Sequence, residues 1–290
     1  MNHYLQSVLL GIVEGLTEFL PVSSTAHLRI TEAMMKIPLD DAYWKMYTIV
    51  IQAGAILALV LLYLSRIVGF MRTFPRGEGG DRNWLTHPIS FTFIAFACTS
   101  APALLLKKWS DHNLGSLKVM ALALLIGGIV MWVVDAWYSR QEARTMHVED
   151  MTLGQSIWIG LCQALSAIFP GVSRSMSTIA AGQIAGLDRP SALEFSFLLS
   201  IPTMIAATGY DLVKEVLPLH FAGMGSTTAD VIMTTDRWII LIIGFVVSFI
   251  VAYGVVEWFL MWVRRHGFTI FAIYRIVFGI WLLVWGARYI

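Results

Sequence analysis

Six long apolar runs are the feature that most constrains the fold of this chain. Each run is close to the roughly 20 residues that a helix needs to cross a bilayer. Hydrophobic residues make up 57% of the sequence, charged residues 13%, and the mean hydropathy is +0.71, more than a soluble core of 290 residues requires. We therefore predict an all-α polytopic membrane protein. The six predicted spans are 47–64, 89–106, 119–137, 193–210, 238–263 and 270–285.

The charge of the chain indicates which partners to expect. The net charge is +1 and the basic residues form no cluster, so no nucleic acid partner is predicted. The apolar runs predict membrane lipid as the surroundings of the chain. Basic residues of the predicted loops fall evenly on both sides of the membrane, so the positive-inside rule does not decide the orientation.

A polar block interrupts the first hydrophobic stretch, in residues 13–28 with the sequence VEGLTEFLPVSSTAHL. Glu14 and Glu18 are four apart, which places both carboxylates on one helix face, a turn from each other. The neighbouring residues are apolar on almost every side, which argues against a solvated face. Two like charges in a low-dielectric site need a proton, a cation or a guanidinium to coexist, so the pair predicts acid-base chemistry or a divalent-metal site.

Three hydroxyl residues and a histidine follow Pro21 in the same block. Ser23, Ser24 and Thr25 supply hydroxyls and successive backbone N–H groups that can face an anion, or they simply cap the next helix. His27 lies close enough in sequence to exchange a proton with these hydroxyls near neutral pH. The alternative for His27 is a structural hydrogen bond.

A second segment, 161–179 with the sequence LCQALSAIFPGVSRSMSTI, resembles the first block. Placing Pro21 on Pro170 aligns the two segments, and after one extra residue, Gly171, the serines and threonines of the two turns coincide. We interpret this as a duplication within a single membrane domain, residues 1–290. The predicted halves are about 1–145 and 146–290.

Both segments are too interrupted by proline, glycine and hydroxyl residues to cross a membrane as regular helices. Such backbone is tolerated at membrane depth only inside the protein or around a wet cavity, so each segment predicts a re-entrant helical hairpin. Three predicted spans separate the two hairpins, and this odd number inverts the second hairpin relative to the first. The sequence therefore predicts six transmembrane helices plus two re-entrant hairpins in an inverted-topology repeat, with tips that meet near the midplane.

Arg174 is the most informative residue of the second hairpin. It is a permanent charge flanked by Ser173 and Ser175, and it requires an anionic partner, either a phosphate or one of the two glutamates. Three further polar residues lie inside apolar runs and serve either a site or helix–helix hydrogen bonds: Gln52, Glu194 and Arg275.

These groups together indicate a chemistry. Carboxylates, hydroxyls, a histidine and an arginine inside a membrane predict phosphoryl transfer on a substrate with a long apolar tail. The rival function is a transporter or flippase for a polyprenyl phosphate lipid, because inverted repeats with broken helices are typical of alternating access.

Two motifs resemble those of a known family. Residues 14–27, EGLTEFLPVSSTAH, and residues 170–175, PGVSRS, are similar to the first and second motifs of the undecaprenyl-diphosphatase family, the bacterial bacitracin-resistance proteins. The similarity extends over nearly the whole chain, including the stretches IVIQAGAILA, EFSFLLSIP and FAIYR. Ala26 and Met176 differ from the family, which usually has glycine at both positions.

The resemblance implies a function for each candidate residue. It implies hydrolysis of undecaprenyl diphosphate to undecaprenyl phosphate and inorganic phosphate, which recycles the lipid carrier of peptidoglycan synthesis, with Mg or Ca as cofactor. Glu14 and Glu18 would act as metal ligands or in acid-base roles, Arg174 would hold the diphosphate, and Ser24 or His27 would be the nucleophile or its proton partner. Water remains an alternative nucleophile. The predicted substrate-binding residues are Ser23, Thr25, Gln52, Ser173, Arg174 and Ser175.

The resemblance also implies a location. We expect the bacterial cytoplasmic (inner) membrane, with the site open to the periplasmic face. A homodimer through spans that contain Gly127 and Gly128 is left open, because small residues also serve packing within one chain.

Overall fold

The computed structural model describes residues 2–38, 41–113, 116–138, 142–215, 233–284 and 286. Within these ranges the chain forms α-helices, one short 3-10 turn at Val148–Asp150 and no β-strand. The all-α prediction is confirmed for this part of the chain. The helices are α1 His3–Thr17, α2 Ser24–Met34, α3 Ala42–Leu62, α4 Leu64–Thr73, α5 Pro88–Leu105, α6 Lys107–Asn113, α7 Leu117–Tyr138, α8 Leu153–Ile168, α9 Arg174–Ile184, α10 Arg189–Glu215, α11 Thr235–His266 and α12 Thr269–Val284.

Five of the described helices are long and apolar enough to cross a membrane: α3, α5, α7, α10 and α11. They coincide with the first five predicted runs, which confirms a polytopic membrane protein. The sixth run, 270–285, falls on α12, which has 16 residues, and Trp285 lies outside the described residues. The count of six spans therefore stays a prediction.

The two interrupted segments each form a pair of short helices joined by a turn. Helices α1 and α2 have 15 and 11 residues, about 22 and 16 Å at 1.5 Å per residue, and both are shorter than the ~30 Å hydrocarbon core. Helices α8 and α9 have 16 and 11 residues. We call residues 14–25, around the turn between α1 and α2, the first tip, and residues 163–175, around the turn between α8 and α9, the second tip.

The helix packing contains two matching hydrogen bonds. Helix α1 packs on α11 and α8 packs on α5. The Ser7 hydroxyl donates to the carbonyl of Ile240 at 2.6 Å, and the Ser156 hydroxyl donates to the carbonyl of Phe91 at 2.6 Å. Ser156 follows Ser7 by 149 positions, and Ile240 follows Phe91 by the same number, which is also the offset between Pro21 and Pro170.

The same two interfaces have a close backbone approach at equivalent glycines. A Cβ on Gly11 would lie 2.8 Å from the carbonyl oxygen of Gly244, and a Cβ on Gly160 would overlap the carbonyl of Ala95. Both pairs again follow the offset of 149. The boundary between the halves near residue 145 remains a prediction.

Ion pairs fix the end of the bundle away from the tips. Arg66 pairs with Glu149 and with Glu194, each at 2.7 Å. Glu194 therefore forms an ion pair with α4. The fully buried Asp135 accepts a hydrogen bond from Arg189 at 2.7 Å and joins the end of α7 to the start of α10.

Gly127 and Gly128 are buried between α7 and α12. A Cβ on Gly128 would lie 2.9 Å from the carbonyl oxygen of Ala272, so this surface is occupied within one chain. The two glycines therefore do not offer a face to a second copy. The homodimer itself remains a prediction.

Candidate active site

The two tips are in direct contact. The Ser175 hydroxyl, in the first turn of α9, donates to the carbonyl of Leu20 at 3.0 Å. Arg174 Nη2 lies 3.2 Å from Glu18 Oε1. The guanidinium also lies 5.9 Å from the centroid of the Phe19 ring. Residues about 150 positions apart thus form one polar cluster.

Both tips have the same unusual backbone at one serine. Ser23 has φ 76° and Ser173 has φ 72°, in the left-handed region that residues other than glycine rarely adopt. Such a conformation costs about 1–3 kcal/mol and persists where the surroundings fix it, commonly at functional sites. Ser173 Oγ caps α9 by accepting from the amide of Met176 at 3.3 Å, whereas the Ser23 side chain makes no capping bond. The capping alternative considered for the hydroxyls of the first block is therefore not observed at Ser23, the residue that precedes α2.

A cavity of about 250 Å³ lies at the junction of the tips and is closed by α3 and α10. Most of the predicted site residues line it, although they come from three separate parts of the sequence. The predicted residues in its wall are Glu18, Ser23, Ser24, Thr25, Gln52, Ser173 and Arg174.

Glu18 is the centre of the hydrogen-bond arrangement in this cavity. Its Oε2 accepts from the Ser24 hydroxyl at 2.5 Å, and its Oε1 faces Arg174 Nη2. The side chains of Glu18 and Arg174 are only 9% and 14% exposed, so the pair is largely desolvated. Charge-assisted hydrogen bonds in such surroundings are short and strong. Through the two bonds of Glu18, a hydroxyl, a carboxylate and a guanidinium are connected to each other.

Glu14 lies one helical turn before Glu18 and is fully buried. Neither of its carboxylate oxygens has a hydrogen-bond partner among the described residues, and Arg174 Nη1 also has none. Buried polar atoms are normally paired, so unpaired ones call for an ion or ligand. The described residues contain no group of three or more His, Cys, Asp or Glu side chains that could hold a metal. Two carboxylates do fit Mg²⁺, which retains several water or phosphate ligands.

His27 does not line this cavity. Its Nδ1 lies 2.7 Å from the carbonyl oxygen of Ser23, its Nε2 lies 2.6 Å from the hydroxyl of Tyr274, and its ring stacks on Phe278. It lines a separate apolar cavity of about 530 Å³ between α1, α11 and α12. His27 thus makes the structural hydrogen bonds that were considered as its alternative role. Its catalytic role stays a prediction.

Ser175 is also absent from the cavity wall, because its hydroxyl is turned to Leu20. Four hydroxyl residues that line the cavity were not predicted from the sequence: Ser110, Ser166, Thr203 and Thr208. Their only signal is a hydroxyl within or beside an apolar helix. Such hydroxyls commonly bond to their own backbone, as Thr203 does to the carbonyl of Leu199 at 2.7 Å, so sequence alone did not single them out.

Comparisons with known proteins identify the family of this chain. The family model described as bacitracin resistance protein BacA matches residues 7–281. A protein named undecaprenyl-diphosphatase from Koribacter versatilis (strain Ellin345) is 57% identical over 288 residues, covering 99% of this chain and 100% of that protein. Proteins of the same name from Caldanaerobacter subterraneus subsp. tengcongensis and Clostridium tetani are 37% and 39% identical, covering 98% and 97% of this chain and 96% and 95% of theirs. The chain therefore belongs to the bacitracin resistance protein BacA family.

Proposed function

We propose that this protein hydrolyses undecaprenyl diphosphate to undecaprenyl phosphate and inorganic phosphate, and so recycles a lipid carrier and confers bacitracin resistance. The observation that carries the proposal is the Ser24–Glu18–Arg174 arrangement, which joins the two tips in a cavity inside an apolar helical bundle. The relatives named undecaprenyl-diphosphatase support the same substrate.

The proposed architecture has six membrane spans, with α12 as the sixth, and two re-entrant hairpins in an inverted repeat. The short helices of both hairpins support this proposal, as do the hydrogen bonds that recur at an offset of 149 residues. We place the protein in the bacterial inner membrane with its cavity open to the periplasmic face. Ser110, which follows the end of α5, lines the cavity, and we propose that the cavity opens toward that end of the bundle.

The size of the cavity indicates which part of the substrate it can hold. Sites for drug-sized ligands occupy about 300–1,000 Å³, and this cavity of about 250 Å³ is smaller. It suits a diphosphate head and excludes a long isoprenoid tail, which would stay in lipid or along the apolar helix surfaces. Arg174 would bind a phosphate oxygen through Nη1, which has no protein partner among the described residues.

Two routes of hydrolysis are consistent with these contacts. In the first, Ser24 Oγ attacks the terminal phosphorus while its proton passes to Glu18, and the bond from that phosphorus to the bridging oxygen breaks, releasing undecaprenyl phosphate. Water then hydrolyses the phosphoserine, which releases inorganic phosphate and restores the serine. In the second, Glu18 takes the proton of a water molecule that attacks the same phosphorus directly.

Glu14 and Glu18 are the residues that would hold a divalent cation, Mg or Ca. The unpaired, buried oxygens of Glu14 fit that role. When bound, the cation would neutralise phosphate charge as it develops on the leaving group. Without it, two carboxylates and a diphosphate would repel each other in a low-dielectric site.

The test is phosphate release from undecaprenyl diphosphate by the purified, detergent-solubilised protein. The assay is run with and without a chelator and beside Arg174→Ala. Release that depends on both the metal and Arg174 supports the proposal. Folded protein that releases no phosphate but moves a polyprenyl phosphate across vesicle membranes would instead favour the flippase.

A further inference from the structure

Arg275 is an arginine in the middle of α12 with no exposed surface. None of the ion pairs of the described residues includes it. A buried cation without a carboxylate partner is costly unless other groups solvate it. Here backbone carbonyls of the two tips and of α7 accept from Nη1 and Nη2, whereas Nε has no partner among the described residues.

The guanidinium of Arg275 bridges the tips through hydrogen bonds to their backbone. Nη1 donates to the carbonyl of Pro21 at 3.1 Å, in the first tip. Nη2 donates to the carbonyls of Gly171 at 3.0 Å and Val172 at 2.9 Å, in the second tip. A further bond to the carbonyl of Ala123, at 3.2 Å, fixes the guanidinium to α7.

These carbonyls lie next to the strained serines of each tip. Pro21 is two residues before Ser23, and Val172 directly precedes Ser173. The residues that follow those serines, Ser24 and Arg174, point their functional groups at Glu18. A planar fork with fixed donor directions is well suited to fix two turns in one relative orientation.

The surroundings of Arg275 are shaped to accept it. Gly127 on α7 faces the guanidinium, and a Cβ at that position would overlap Nη2 and lie 2.8 Å from Met176 Cε. The absence of a side chain at residue 127 therefore leaves the space that the guanidinium fills.

We propose that Arg275 is a positioning residue for the proposed hydrolysis. Arg275 fixes the first and second tips to each other. Ser24, Glu18 and Arg174 are then held in the geometry that hydrolysis of the diphosphate requires. Arg275 itself does not contact the substrate. The inference rests on the proposed function, because the geometry that it maintains is that of the proposed site.

The first test measures kcat and KM for undecaprenyl diphosphate in Arg275→Lys and Arg275→Met. A misplacement of about 1 Å can lower turnover about 10²-fold. We expect such a fall in kcat for Arg275→Met, little change in KM, and partial rescue in Arg275→Lys, which keeps the charge and donates to fewer carbonyls. Gly127→Ala displaces the guanidinium without removing it and should also lower kcat, whereas Gly254→Ala, at a position with no atom near the new Cβ, should not.

Arg66→Met is the matched control for loss of stability. Arg66 pairs with Glu149 and Glu194 away from the tips, so its loss should lower thermal stability and leave kcat unchanged. Equal losses of kcat in Arg66→Met and Arg275→Met would show general destabilisation and overturn the proposal. Unchanged kcat in every Arg275 variant would also overturn it.

A second readout does not depend on activity. The free Cys98 and Cys162 are replaced by alanine, and Leu20→Cys with Ser175→Cys places one thiol on each side of the tip contact. We expect a short bifunctional thiol reagent to join them efficiently with Arg275 present and poorly in Arg275→Met. If the protein without cysteine substitutions releases no phosphate, yet crosslinking in the double-cysteine variant depends on Arg275, the proposed function fails and the coupling of the tips stands. Crosslinking that is unaffected by Arg275→Met contradicts the coupling.

Discussion

The first and second tips have similar backbone conformations but carry different chemical groups. Both end a short helix, turn at a proline and pass through a serine with positive φ, at Ser23 and Ser173. In the alignment that places Pro21 on Pro170, Glu14 corresponds to Gln163, Glu18 to Ala167 and Ser24 to Arg174. The first tip thus supplies acids and a hydroxyl, and the second supplies a guanidinium.

The different side chains of the two tips show how one duplicated turn can provide two halves of a site. Glu14 and Gln163 are both fully buried, and none of their side-chain oxygens has a hydrogen-bond partner among the described residues, but the Gln163 Nε2 donates to Thr99 and Thr203. At this position the protein therefore pairs only the amide nitrogen of Gln163, and it pairs neither oxygen of Glu14. The difference is thus an acid at residue 14 and an amide at residue 163, and the acid is where we propose that a cation binds.

The largest effect should come from removing the charges that join the tips. We expect Arg174→Ala and Glu18→Gln each to lower kcat by more than about 10³-fold, because each removes a preorganised charge partner and little core volume. Phosphate release measures the effect, and thermal unfolding in detergent checks that both variants are folded. Arg264→Met, which removes an exposed arginine, is the control. Near-normal turnover in either variant would contradict the assignment of this site.

Ser24→Ala tests whether the hydroxyl of the first tip is the nucleophile. We expect kcat to fall at least about 10²-fold, because the variant loses both the hydroxyl and its proton transfer to Glu18. Ser173→Ala removes a hydroxyl of the second tip that also lines the cavity, and it should cost less, since the Ser173 hydroxyl bonds to Ser175 and to its own helix. Persistent activity in Ser24→Ala would indicate attack by water or by His27.

Glu14→Gln makes the first tip resemble the second at this position. We expect the concentration of Mg²⁺ that gives half-maximal activity to rise at least about tenfold, a loss seen even for groups that only support a metal ligand. Metal titrations of phosphate release measure it. Gln163→Ala should leave the metal dependence unchanged. An unaltered dependence in Glu14→Gln would mean that Glu14 holds no cation.

His27→Gln should give the smallest effect on catalysis. We expect kcat to fall by less than about tenfold, because the ring contacts Ser23, Tyr274 and Phe278 and does not line the cavity. The melting temperature should fall, since stacking contacts with α12 are lost. A loss of kcat as large as that of Glu18→Gln would restore His27 as a proton partner.

Much of the site could be predicted from local sequence. The paired glutamates, the serine-rich turn and Arg174 are conspicuous because charged and hydroxyl groups inside apolar runs are costly and rarely accidental. The structure brings Glu18, Ser24 and Arg174 together as expected. His27 is equally conspicuous, but which of its neighbours it bonds depends on where α12 packs, and no local pattern contains that information.

The sequence by itself determined the membrane class, five of the spanning helices, the family and the two broken segments. These follow from length, hydropathy and short-range backbone preferences, which act over one or two helical turns. Only the tertiary structure decided that Arg275 joins the tips, that Gly127 makes room for it and that Glu194 pairs with Arg66. Those contacts link residues 100 or more positions apart, and their partners are chosen by the packing of the whole bundle.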